Sequence, residues 1–264
     1  MEINIIVDND RCWLLNTIRR SILILKKKNI HINHIWVLPE KLSNLKGYQI
    51  PLWYLKIFGI IVFFKLVLFH LSVLLINFFR GINSFEKLAE IHKIKYTYIK
   101  SLKDKRLLDN LKNRKKKYNF IFTNHIIHLK LLKLINNFFI NKHSSLLPAY
   151  GGLLPFIWVT IFKFNNGISI HLVGKKLDSG KLLLQKKFFH KFKSMIEFYL
   201  YVYEKFPKYL IQSIYNLNKK RFFEPKYKKS IFTIPKKEEY KKFLDCGGKI
   251  IRINDFFNIN KIIK

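Results

Sequence analysis

The sequence predicts an α/β protein built on a Rossmann-like three-layer sheet, with a hydrophobic helical insertion and a small, mainly helical C-terminal extension. Three observations carry that expectation: a βαβ opening, an apolar stretch over residues 50–81, and a strand–helix alternation that resumes at Ser84. The 264 residues suffice for a substantial core, and 49% apolar content argues against disorder.

The opening is read from Ile3–Val7, a short buried strand, followed by a polar turn and a periodic segment, Trp13–Lys28. Trp13, Leu14, Ile18, Ile22, Leu23 and Leu25 fall roughly on one helical face, and Ile32–Leu38 forms a second strand that ends at Pro39. A parallel pair of this kind places ligands at the carboxyl ends of its strands. The turn from Asp8 to Trp13 contains no glycine, so a nicotinamide-binding loop has no support.

The stretch Ile50–Gly81 is long enough to cross a bilayer, which takes roughly 20 apolar residues. A single crossing would, however, put the first two strands and the rest of one sheet on opposite sides, and Lys56, Lys65, His70, Ser72 and Asn77 interrupt the run. A helix or helical hairpin lying in an anionic membrane interface is the preferred reading, helped by flanking Lys and Arg. Buried core helices, a homodimer interface and a true span are its alternatives. The acidic amino terminus, with Glu2, Asp8 and Asp10, does not read as a secretory leader.

The formal net charge of +34 invites an anionic partner, nucleic acid or membrane. Most of the excess is lysine in the company of Ile, Asn, Phe and Tyr, a bias that A/T-rich codons would produce. Cys12 and Cys246 lie far apart, with no CxxC and no metal-ligand spacing, so a reduced, cytoplasmic compartment and no metal are expected.

From Ser84 a helix runs to about Lys93, then come a strand at Lys95–Ile99, a basic helix at Lys103–Lys117, a strand at Asn119–Thr123, a turn at Asn124–His128 and a helix at about Leu129–Leu134. The apolar run Phe138–Ile140 leads into NKHSSLLPAYGG, Asn141 to Gly152. Two residues apart on an extended backbone, Asn141 and His143 point to the same side, ahead of a loop stiffened by Pro148 and opened by two glycines. Read alone, these residues could equally be a turn cap and a structural histidine.

This stretch resembles the Asn-x-His-Pro-Ser-Leu-Leu-Pro-x-Tyr-x-Gly signature of the folate-dependent formyltransferases, the family that includes glycinamide ribonucleotide transformylase, methionyl-tRNA formyltransferase and sugar N-formyltransferases. GISIHLVGKKLDSGKLLLQ, Gly167 to Gln185, resembles the second half of that signature, Gly-x-Thr-x-His followed by Asp-x-Gly and Gln. The resemblance covers 95–185 well and the opening βαβ in outline, and leaves 50–81 unexplained. It implies the formyltransferase fold, 10-formyltetrahydrofolate as co-substrate and a primary amine as acceptor. By the same resemblance Asn141 and His143 would polarise the formyl oxygen, and Asp178 would take the amine's proton and orient His143. Asn124, His125, Ile126, Leu146, Leu147, Pro148, Leu177 and Gly180 would form the folate side. His171 reads as a packing or orienting residue. Two departures stand out: Ser144 replaces the proline after the histidine, and Gly151 stands where an arginine is common.

Residues 1–190 are read as the catalytic domain and 191–264 as the helical extension. Ser194 with Glu197 makes a capping box at the start of a helix that is rich in Tyr and Phe over Phe198–Phe206, and Pro207 starts a second that reaches about Leu217. A strand at Ser230–Ile234 and a short helix at Pro235–Asp245 follow. The segment shows no five-stranded barrel of the kind methionyl-tRNA formyltransferase carries, so an amino sugar or other carrier-linked small amine is favoured as acceptor over tRNA. A non-catalytic membrane-associated binding protein is the remaining alternative. The expected setting is the cytoplasm, peripheral on the inner face of the membrane.

Overall fold

The computed structural model describes residues 1–112, 118–127, 132 and 138–263. The βαβ opening is β1 (Glu2–Asp8), α1 (Leu14–Lys26) and β2 (His31–Leu38), with β2 parallel to β1. A hairpin of two-residue strands, β3 (Lys41–Leu42) and β4 (Leu45–Lys46), leads to α2 (Gln49–Phe58) and α3 (Ile60–Phe79). Then come α4 (Phe85–His92), β5 (Lys95–Tyr98), α5 (Lys105–Lys112), β6 (Tyr118–Phe122) and β7 (Phe138–His143). The expected basic turn at 114–117 and most of the expected helix at 129–134 lie outside the described residues. The chain continues with β8 (Gly151–Gly152), α6 (Pro155–Ile161), β9 (Gly167–Leu172), β10 (Leu182–Lys187), α7 (Met195–Asn218), β11 (Ile231–Phe232) and α8 (Lys237–Asp245).

Seven strands form the central sheet in the order β10-β9-β7-β6-β1-β2-β5. The pairs among β7, β6, β1, β2 and β5 are parallel, whereas β9 runs antiparallel to both β7 and β10. Side chains alternate across the sheet. Ile3, Ile5 and Val7 of β1 join one apolar cluster with α1 and α7, while Ile6, Trp36, Ile121 and Phe139 join a second with Leu107 and Leu111 of α5. This is the expected three-layer arrangement, and it brings the ends of β1, β6 and β7 to one edge.

One expectation is corrected. Pro207 does not start a second helix, because α7 runs unbroken from Met195 to Asn218 with Pro207 inside it. Phe198, Val202 and Phe206 before the proline and Leu210, Ile214 and Leu217 after it are all buried, so one apolar stripe on the core outweighs the lost hydrogen bond. Ser194 caps the amino terminus as expected, its Oγ accepting from Glu197 N at 3.0 Å.

Of the alternatives for 50–81, a pair of buried core helices does not fit. Gly59, at φ +80°, separates two helices, as a helical hairpin requires, and only Phe69, Val73 and Asn77 of α3 are buried. Phe69 stacks on Trp13 at 5.6 Å, Phe58 of α2 meets Tyr240 at 4.9 Å, and Asn77 Nδ2 donates to Arg11 O at 3.3 Å. The hairpin is therefore anchored on one side and open on the other.

Candidate active site

The carboxyl ends of β6 and β7 and the loop before β10 converge on Asp178. His143, the last residue of β7, has Nδ1 3.7 Å from Asp178 Oδ2, and His171 of β9 has Nε2 3.8 Å from Oδ1. Gly152 N donates to Asp178 Oδ2 at 2.8 Å. The carboxylate thus sits among two imidazoles and a backbone amide, with its side chain 7% exposed. Asn141 pairs with His171 across β7 and β9, two positions before His143 and on the same face. Among the described residues its side-chain amide has no hydrogen-bond partner, and it faces the cavity beside Asp178.

His143 Nε2 lies 3.0 Å from Tyr150 O, a partner that only a donor nitrogen can satisfy. Nδ1 is then the nitrogen that faces Asp178, so a proton can pass between carboxylate and imidazole there. His171 Nδ1 meets Leu172 O at 2.8 Å, and its buried Nε2 finds no hydrogen-bond partner. Burial pushes the His171 imidazole below its ordinary pKa, with Asp178 opposing the shift.

The remaining residues of the two sequence signatures brace this constellation. Ser169 Oγ accepts from Leu147 N at 3.0 Å and donates to Ser145 O at 2.7 Å, and Gln185 Nε2 donates to Leu147 O at 2.6 Å. Three glycines permit close backbone approach. A Cβ on Gly167 would come within 2.3 Å of Leu146 Cδ2, one on Gly180 within 1.5 Å of Leu172 O, and one on Gly152 (φ +95°) within 1.9 Å of Phe232 O. That last contact belongs to the parallel pairing of β8 with β11, which fixes the amide donating to Asp178.

Two cavities adjoin, and Lys142, His143, Gly152, Tyr203, Asp10 and Glu40 are among the residues that line both. The smaller, about 490 Å³, lies between residues 123–127 and 173–178 and is lined by Asn124, His125, Ile126 and Leu177 of the expected folate side. The Asn124 and His125 side chains are spent on anchoring: Asn124 Nδ2 donates to Lys41 O at 2.8 Å, and His125 Nε2 lies 2.9 Å from Pro39 O. Asp8 holds the same loop through the Thr123 hydroxyl and Asn124 N. Ile126 and Leu177 remain exposed and apolar, suited to the faces of a fused ring. Leu146, Leu147, Pro148 and Gly180 do not line this cavity. Leu146 and Leu147 are buried under Gly167 and Ser169, Pro148 O accepts from Ser230 N at 3.1 Å, and Gly180 packs on Leu172. These four therefore shape the loops around the site.

The larger cavity, about 760 Å³, runs from Lys142, His143 and Ser144 outward between the sheet edge and the α2–α3 hairpin. Trp13, Tyr199 and Tyr203 wall it on the body side. Lys142, the x of the Asn-x-His pattern, places Nζ 4.4 Å from the Tyr203 ring centre and 3.0 Å from Ser144 Oγ. The serine in place of proline thus gives this amine a partner. Burial lowers the Lys142 amine to about 8, with Asp10 opposing the shift. Asp8 and Glu40 are pushed up to about 7, mainly by burial. Among the described residues no cluster of His, Cys, Asp and Glu has a metal-holding arrangement.

Sheet order and site geometry together define a formyltransferase fold, and residues 91–190 match the formyl transferase family. Over 105 residues, 39% of this chain, the sequence is 33% identical to the bifunctional polymyxin resistance protein of Wigglesworthia glossinidia brevipalpis. Over 59 residues, 22% of this chain, it is 39% identical to the GDP-perosamine N-formyltransferase of Brucella melitensis. The matched parts span 16% and 23% of those two proteins. Among solved structures, the N-formyltransferase of Helicobacter canadensis in complex with folinic acid and dTDP-3-aminofucose superposes with a TM-score of 0.54 at 14% identity, over 94% of this chain and 81% of that one. The fold is shared at that distance, and the resemblance of the sequence signatures holds.

Proposed function

We propose that the protein transfers a formyl group from 10-formyltetrahydrofolate to the primary amine of an amino sugar carried on a nucleotide or another carrier. The observation that carries this reading is the convergence of Asn141, His143 and Asp178 on the smaller cavity, with His143 also lining the larger one. The smaller cavity suits the folate and the larger one the acceptor. 10-Formyltetrahydrofolate would supply the formyl group as co-substrate.

The residues divide the work as the chemistry requires. The acceptor nitrogen bonds to the formyl carbon, the bond from that carbon to N10 breaks, and one proton leaves the amine while one reaches N10. The uncommitted Asn141 amide would donate to the oxygen that gains charge. Asp178 accepts the amine's proton, and His143, whose Nε2–H is held by Tyr150 O and so is not free to polarise the formyl oxygen as the resemblance implied, shares the charge and relays the proton. Gly152 N holds the carboxylate in position. The free thiols of Cys12 and Cys246 suit a cytoplasmic setting.

The test is incubation with 10-formyltetrahydrofolate and a panel of nucleotide-linked amino sugars, reading tetrahydrofolate release together with the mass of the acceptor. The reading predicts release coupled to a gain of one formyl group. Folate binding without transfer to any amine contradicts it.

A further inference from the structure

The apolar hairpin has two faces. Phe63, Leu66, Val67, His70 and Leu71 of α3 line the larger cavity, together with Ile50, Pro51 and Tyr54 of α2. Turned outward are Ile61 (69% exposed), Phe64 (56%), Leu68 (56%), Leu71 (48%), Leu75 (57%) and Phe78 (62%), spaced by three or four residues along one stripe. Leu71 belongs to both sets, since it lines the cavity and is 48% exposed, so the apolar stripe is continuous with the cavity mouth. A soluble monomer rarely leaves such a contiguous stripe in water.

Charge indicates what covers it. Between Glu40 and Glu86 the sequence has no carboxylate, while Lys41, Lys46, Lys56, Lys65 and Arg80 surround the hairpin. A stripe of large apolar side chains on a segment whose only formal charges are cations is the pattern of a helix lying in an anionic lipid interface. The twenty residues of α3 extend for about 30 Å at 1.5 Å per residue, enough to lie flat along a bilayer surface.

Resting on the function proposed above, we infer that the α2–α3 hairpin docks on an anionic bilayer and that the acceptor is an amino sugar linked to a polyprenyl phosphate. The sugar amine reaches Asp178 from the inner, polar end of the cavity. Lys142 lies there to meet the phosphate, and the first isoprenoid units follow the α3 wall past Val67 and Leu71 into the lipid. A soluble nucleotide-linked sugar has no use for an apolar wall that opens onto a second apolar surface.

Two measurements test this on the full chain. The first is flotation with vesicles of phosphatidylcholine containing phosphatidylglycerol, for the wild type and for the triple variant Phe64→Glu, Leu68→Glu, Leu75→Glu. None of these three residues lines the cavity. The wild type should float, and the variant's partitioning should fall by about tenfold or more while its thermal melt and folate binding are kept. The second is the rate of formyl transfer to a polyprenyl-phosphate-linked amino sugar in those vesicles against the same sugar on a nucleotide, with preference for the lipid-linked acceptor expected. No flotation of the wild type overturns the inference, and so does an equal or better rate with the nucleotide-linked sugar, yet that transfer leaves the proposed function standing. Concentration-dependent dimerisation that the triple variant abolishes, without flotation, assigns the stripe to a second copy and also overturns it. Transfer to neither acceptor overturns the proposed function and this inference with it.

Discussion

At the scale of residues, the site is a set of contacts around one carboxylate. On the proposed assignment, removing the Asn141 amide leaves the developing oxyanion without its donor, so Asn141→Ala should lower kcat by about 10²–10³ with an unchanged melt. Asp178→Asn should lose a comparable factor, because an amide cannot take the amine's proton. Steady-state kinetics beside a thermal melt check both. Lys142 gives a pH signature. Its amine is charged below about 8 and neutral above, so KM for a phosphate-bearing acceptor should rise as pH passes about 8. Lys142→Met should raise that KM at pH 7 and remove its rise at higher pH, as an initial-rate series across pH would show. Asn141, His143 and Asp178 were legible in the sequence through their signature spacing. His171 and Lys142 were less so. His171 comes to Asp178 only through the antiparallel register of β7 and β9, and Lys142 gains its role from Ser144 and from Tyr203, distant in sequence.

At the scale of elements, local pattern predicted most of the strands and helices, and tertiary packing decided the exceptions. Pro207 reads as a helix start, yet α7 continues because buried side chains on both sides hold one stripe to the core. The proline costs the helix a hydrogen bond, so Pro207→Ala should stabilise the fold by roughly 1–3 kcal/mol in urea denaturation. The two-residue strands β8 and β11 were invisible as a pair, since they are about eighty residues apart in the chain and short-range periodicity carries no trace of the pairing. They matter because Gly152 supplies the amide that holds Asp178. Gly152→Ala drives a methyl group into Phe232 O at a left-handed backbone position, and both Tm and kcat should fall together. A fall in only one of them would separate β8 pairing from the geometry of Asp178.

At the scale of the whole molecule, the formyl transferase match spans residues 91–190, while β1 and β2 of the same sheet come from before it. The α7 helix packs on α1 and β10, so the segment beyond 190 shares the main apolar cluster. The Leu-, Ile- and Phe-rich stretch at 50–81 announced a helix by composition, but only the fold could show which side faces the cavity and which faces outward. Length and apolarity are the same for a core helix, an interface helix and a span. The account stands or falls on group transfer at the junction of the two cavities. Its most direct test uses 10-formyltetrahydrofolate labelled with ¹³C in the formyl carbon, incubated with a carrier-linked amino sugar and followed by NMR. The account predicts that the label becomes an N-formyl group on the sugar with the wild type and stays on the folate with Asn141→Ala. Label released as free formate, or transferred equally well by the variant, would contradict it.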